Sequence, residues 1–160
     1  MRVRVFNSQL WVPQQREDVF SFFSDIKNLD AITPPWLTFR IQTPNVQIRR
    51  GALIEYRLRL HGFPVRWQTE ITLWDPPVLF VDEQRTGPYS QWIHEHRFLQ
   101  DSGGTLILDH VEYRIPGWIF EPWVFHLMVG PDLEKVFQHR RACLKAHFHS
   151  TGERPACTSL

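Results

Sequence analysis

The stretch from residue 52 to 115 most constrains what this chain can fold into, because segments of alternating apolar and polar residues are separated there by clusters of turn formers. Side chains point to opposite sides along a strand, so a period of two marks strands with one buried face. The pattern predicts strands at about 52–60, 65–74, 78–85, 89–99 and 104–115. The connections are His61-Gly62-Phe63-Pro64, Asp75-Pro76-Pro77, Thr86-Gly87-Pro88 and Asp101-Ser102-Gly103-Gly104. Strands joined by such short turns pair antiparallel.

The ends of the chain supply helices. Residues 2–11 alternate as a first strand. Pro13 then opens a helical stretch in which Val19, Phe22, Phe23, Ile26 and Leu29 recur at spacings of three and four. That stripe fits two short helices or one bent one, stopped by Thr33-Pro34-Pro35, and Trp36 to Ile41 reads as a short strand. Trp118 to Val129 reads as an aromatic loop or short helix. From Gly130-Pro131-Asp132 to about His149, Leu133, Val136, Phe137, Leu144 and Phe148 form an apolar stripe to which Cys143 can belong. The expected class is α+β: a curved antiparallel sheet of about seven strands around a long C-terminal helix, as one domain over residues 1–149 with a disordered tail at 150–160.

Seven Trp and twelve Phe are many for 160 residues, and such rings suit a sheet curved round a hollow or a wide core. A net charge of +1 with both signs interspersed gives no field for nucleic acid or an anionic membrane. Arg49, Arg50, Arg57, Arg59 and Arg66 are expected on a solvated outer face. Two cysteines imply no disulfide framework and fit a reducing compartment. The alternating N-terminus lacks the apolar core of a signal peptide, and no apolar run reaches membrane-spanning length. A soluble, cytoplasmic protein is expected.

Hairpin geometry sharpens the candidate site. With Leu60 opposite Val65, Leu58 meets Trp67, Tyr56 meets Thr69 and Ile54 meets Ile71, leaving Glu55, Arg57, Arg59, Arg66, Gln68 and Glu70 on the other face. The same logic sets Asp82 near Trp92, Phe80 near His94, His96 by Ile107 and His94 by Asp109. The concave face then holds Tyr56, Trp67, Asp82, Gln84, Trp92, His94, His96, Phe98, Asp109 and Tyr113, the expected ligand-binding set. So many inward polar groups need partners, which points to a cavity beneath the long helix.

The order of elements resembles the helix-grip superfamily, which includes steroidogenic acute regulatory (START) lipid-transfer domains, pollen-allergen proteins and polyketide cyclase/dehydrase-like proteins. Asn28-Leu29-Asp30-Ala31-Ile32-Thr33-Pro34-Pro35-Trp36-Leu37, Phe80-Val81-Asp82-Glu83-Gln84, Gly87 to Phe98 and Asp109-His110-Val111-Glu112-Tyr113 look like a bacterial ligand-binding (SRPBCC-type) branch of it. The resemblance implies a hydrophobic pocket between sheet and long helix. It also implies kinship with domains attached to sugar-nucleotide epimerase-like domains, so that an epimerase-like protein is a conceivable partner.

The leading expectation is a binding domain that encloses a small hydrophobic or aromatic molecule carrying one or two polar groups, with no reaction assigned to it. The rival is a cyclase, dehydratase or hydrolase in which His94, His96 and Asp109 move protons; a third reading is a protein-interaction module with exposed tryptophans. No cofactor and no metal are expected: His-x-His has the right side chains, but no third histidine is clearly placed. His139, Cys143 and His147 share a helix face and read as core-edge packing. Thr33-Pro34-Pro35-Trp36 and the segment from Trp118 to Trp123 are expected at the pocket mouth.

Overall fold

A computed structural model of the chain describes residues 2–116 and 121–149. In chain order the elements are β1 (Arg4–Val12), α1 (Arg16–Ser24), α2 (Ile26–Ala31), β2 (Arg40–Ile41), β3 (Leu53–Leu60), β4 (Phe63–Asp75), β5 (Leu79–Thr86), β6 (Gln91–Asp101), β7 (Gly104–Arg114), α3 (Glu121–Val124) and α4 (Gly130–His149). The strands form one antiparallel sheet in the order β1-β7-β6-β5-β4-β3-β2. The first strand therefore closes onto the last, and α1–α2 and α4 cover the concave face. The tail at 150–160 lies outside the described residues, as do Trp118 to Phe120 of the aromatic segment. No helix among the described residues is long and apolar enough to cross a membrane.

Local chemistry explains the breaks. Asp25 is extended (φ −95°, ψ 113°), and its side chain accepts from the Lys27 backbone N–H at 3.0 Å. It thus ends α1 and caps α2, so the apolar stripe becomes two short helices. The strand expected from Trp36 is shorter than its pattern. Pro35–Leu37 form a 3₁₀ turn, because a proline at the first position presets the helical φ, and Thr38 (φ 47°) turns the chain before β2 begins at Arg40.

Two hairpins turn on two residues each. His61 and Gly62 (φ 50° and 83°) and Ser102 and Gly103 (φ 49° and 81°) both place two successive residues in the left-handed region, the type I′ geometry that matches strand twist. Leu60 consequently pairs with Phe63, Leu58 with Val65 and Tyr56 with Trp67, two residues away from the pairing that a wider turn would impose. Across β6–β7, His96 pairs with Asp109, and across β5–β6, whose connection spans residues 87–90, Phe80 pairs with His96 and Asp82 with His94, each again two residues from the expected partner. These corrections are all even shifts, so every side chain keeps its expected face while its neighbours change.

The solid part of the core lies where α1 meets β5–β7. Phe98 is wholly buried, with ring centroids 5.4 Å from Phe20 and 5.0 Å from Phe23. Burying a ring of this size is worth about 1.5–3 kcal/mol. On α4, Leu133, Phe137, Leu144 and Phe148 are buried, and Arg141 Nη1 donates to Ser8 Oγ of β1 at 2.9 Å. Cys143 is buried on the same stripe, as the helical pattern allowed. Arg49, Arg50, Arg57, Arg59 and Arg66 are all exposed.

Candidate functional site

A cavity of about 480 Å³ lies between the concave sheet face and the helices. Phe22, Phe23 and Ile26 line it from α1 and α2, Ile54, Tyr56 and Leu58 from β3, Trp67, Thr69 and Ile71 from β4, and Leu133, Val136 and Phe137 from α4. Its aromatic end is a chain of rings: Tyr56 stacks on Trp67 at 5.9 Å, and Trp67 meets Trp92 edge-on at 5.4 Å. Trp36 and the tip residues His61 and Gly62 reach the rim, where His61 Nε2 lies 2.6 Å from Asp132 Oδ2 at the start of α4.

The polar wall comes from β5, β6 and α4: Asp82, His94, His96 and Arg140 line the cavity. His94 and His96 occupy alternate positions of β6, and their rings lie 3.7 Å apart between centroids. A carboxylate stands on each side of this imidazole pair. Asp109 Oδ1 lies 2.9 Å from His94 Nε2 and 3.2 Å from His96 Nδ1. Asp82 Oδ2 lies 2.8 Å from His96 Nε2 and 3.8 Å from His94 Nδ1. Thr69 Oγ1 donates to the other Asp82 oxygen at 3.1 Å. Arg140 Nη2 is 3.9 Å from Asp109 Oδ1, and Phe80 stacks on His96 at 4.2 Å.

Burial and pairing set the charges. Burial alone would raise both carboxyls. For Asp109 the Arg140 charge and the hydrogen bonds from His94 and His96 outweigh it, holding this group well below the usual carboxylate range. For Asp82 the His96 hydrogen bond and the nearby imidazoles outweigh it, and its pKa is lowered. Burial, reinforced by His96, pushes His94 down to about 4 against the pull of the two carboxylates. His96 is raised: burial opposes its charge, but hydrogen bonds to Asp109 and Asp82 prevail. With Asp109 ionised, the His94 proton must sit on Nε2, which leaves a lone pair on Nδ1 facing Asp82. Burial, and then the Asp82 charge, keep the Tyr56 hydroxyl protonated by raising its pKa well above the ordinary value.

Of the residues expected to line the hollow, Tyr56, Trp67, Asp82, Trp92, His94 and His96 do so. The other four lie behind the wall. Gln84 spends its amide on the β5–β6 loop, donating to Tyr89 O at 2.7 Å and accepting from Tyr89 N at 3.3 Å. It crosses so close to Gly87 that a Cβ there would stand 2.3 Å from Gln84 Oε1. Phe98 belongs to the solid core, because α1 lays Phe20 and Phe23 on it. Tyr113 is buried with Val111, Leu133 and Phe137, and Asp109 backs the histidines. Trp36 lines the mouth as expected, whereas Trp123 is 71% exposed and is not among the lining residues. Sequence reasoning missed Arg140, and its signal was present: a charged residue three positions after Phe137 and four before Leu144 interrupts the apolar stripe. His61 and Asp132 carried no such signal, since a turn residue and a helix-start acid are ordinary at those places.

Comparison with known proteins places this architecture. Among curated proteins no sequence match is found. Among solved structures, the Zhui aromatase/cyclase from Streptomyces sp. R1128 superposes with a TM-score of 0.72 at 15% identity, covering 92% of this chain and 94% of that one. TTHA0849 from Thermus thermophilus gives 0.70 at 16% identity over 89% and 98%. Major latex-like protein 151 from Panax ginseng gives 0.62 at 10% identity over 92% and 99%. At such identities the likeness carries the fold alone, and that fold is the helix grip. The sequence profile described as polyketide cyclase / dehydrase and lipid transport matches residues 12–143, and the chain belongs to that family.

Proposed function

We propose that this chain binds one small hydrophobic or aromatic molecule in the cavity, with a polar group of that molecule turned toward Asp82, His94, His96 and Arg140. The observation that carries the reading is the cavity itself: about 480 Å³, mostly apolar, with Asp82, His94, His96 and Arg140 converging on one side of it. Ligand sites of roughly 300–1,000 Å³ have this character, a large apolar contact with a few convergent polar groups that fix orientation. Trp67 and Trp92 supply contact area, and Tyr56 keeps a hydroxyl proton to donate.

Native mass spectrometry of the protein as purified, followed by titration with a hydrophobic fluorophore, tests the reading. A retained small molecule or a saturable one-site titration is expected, and Val136→Trp, which fills the cavity from α4, should abolish it. Titration that is unaffected by Val136→Trp would place binding elsewhere and end the proposal. A proton-transfer reading has one observation in its favour: His96, paired with Asp82 at 2.8 Å, lines the cavity. If a reaction of the aromatase/cyclase kind is found, His96→Ala should slow it by at least ~100-fold.

A further inference from the structure

We infer that Asp82, His94 and His96 bind one divalent first-row transition-metal ion on the Asp82 side of the imidazole pair, with Asp109 orienting both histidines from behind. The inference goes beyond ligand binding and does not need it, because the ion can be tested with no organic molecule present.

Three observations carry it. Asp82, His94 and His96 each offer one ligand atom, and these atoms all lie within 4.8 Å of one another. The Asp82 Oδ2 separations are 2.8 Å to His96 Nε2 and 3.8 Å to His94 Nδ1. In a tetrahedral site with bonds of about 2.0–2.2 Å, neighbouring ligand atoms stand about 3.3–3.5 Å apart. The 2.8 Å gap must open and the 3.8 Å gap close by about half an ångström each, while the two imidazole nitrogens, within 4.8 Å of each other, must draw onto the same ion through χ adjustments of the two rings. The donor set of two imidazoles and a carboxylate suits zinc, iron(II) or cobalt(II).

The second observation is the backing. The nitrogens not offered to the ion, His94 Nε2 and His96 Nδ1, both meet Asp109 Oδ1, at 2.9 and 3.2 Å. A carboxylate behind a ligating histidine fixes its ring and its tautomer, and here one carboxylate does so for both rings. Thr69 Oγ1 holds the second Asp82 oxygen at 3.1 Å in the same way. The third is charge placement. Arg140 stands on the Asp109 side, 3.9 Å from that carboxylate and 3.4 Å from His96 Nδ1, so the cation of the cluster lies away from the three ligand atoms. Asp82, His94 and His96 all line the cavity, so a further coordination position would face a bound molecule and accept an oxygen or nitrogen from it.

The chelator-treated protein should be titrated with Zn²⁺ against a chromophoric chelator, and with Co²⁺ followed by visible absorption. One ion per chain is expected, with cobalt bands of low coordination number. His94→Ala and His96→Ala should each weaken Zn²⁺ by at least ~100-fold, and Asp109→Asn by the ~10–100-fold typical of an orienting partner. His139→Ala, outside the cluster, should change nothing. Circular dichroism without metal reports folding; if His94→Ala does not fold, the near-isosteric Asp82→Asn carries the test. Absence of a stoichiometric ion, or unchanged affinity in folded His96→Ala or Asp82→Asn protein, overturns the inference. So does loss of the ion in His139→Ala. Stoichiometric zinc with no fluorophore binding would remove the organic-ligand reading and leave this one standing.

Discussion

Asp82 and Asp109 are the same residue type, face the same two rings and sit on strands that flank β6, yet the fold treats them differently. The Asp109 side chain is 6% exposed and lies behind the wall, facing Arg140; that of Asp82 is 16% exposed, tied to Thr69, and lines the cavity. The difference is one of helix placement. Arg140 descends from α4 onto the Asp109 side and completes a closed charge set, while the Asp82 side is left for whatever enters the hollow. One carboxylate is built into the scaffold, and the other is available to an occupant.

The largest effect should come from breaking the closed side. Asp109→Ala strands Arg140 and leaves both imidazoles without their shared acceptor, and removing one partner of a buried charge set costs about 3–5 kcal/mol. Asp82→Ala should cost about 1–3 kcal/mol, the range for leaving buried donors unmatched. Urea denaturation of both variants checks the order, and equal losses would erase the contrast.

The pH response comes next. His94 titrates at about 4 in the fold against an ordinary 6.5, so in that window the unfolded chain binds a proton that the folded one refuses. Stability must therefore fall as pH drops from 6.5 toward 4, by up to ~1.4 kcal/mol per pH unit. His96, raised in the fold, contributes stability that is complete below 6.5 and lost as pH rises through its folded value, so it adds no slope inside the window. Asp109 adds its own loss only at lower pH, where the unfolded carboxyl protonates first. Urea midpoints measured across the window should show the slope, and His94→Gln should flatten it. The smallest effect on stability belongs to the rim: His61→Ala removes an exposed contact worth less than ~1 kcal/mol. It should nonetheless raise the release rate of a bound fluorophore in stopped-flow measurements.

Strand alternation is a local property, so the inward faces of β3 to β7 could be read directly. The α4 stripe was legible for the same reason. Pairing depends on turn type: a four-residue turn at 61–64 places every β3–β4 partner two residues away from where the two-residue turn at His61-Gly62 puts it. The opposition of Asp82 and His94 depends on where the β5–β6 connection falls, and it lies between Thr86 and Gln91 rather than at 86–88. Phe98 and Tyr113 alternate correctly yet lie in solid packing, because alternation reports a face and not what covers it. Arg140 reaches the cluster across 44 residues of sequence, and only its interruption of an apolar stripe marked it.

The contact between His61 and Asp132 has a kinetic consequence. It joins the tip of the β3–β4 hairpin to the first turn of α4, and it is a side-chain contact in which no backbone ladder takes part. Parting it should widen the entrance without unzipping a strand, so that a guest bound as proposed would exchange on a timescale far shorter than that of unfolding. Amide protons of β3 and β4 should stay protected throughout that traffic.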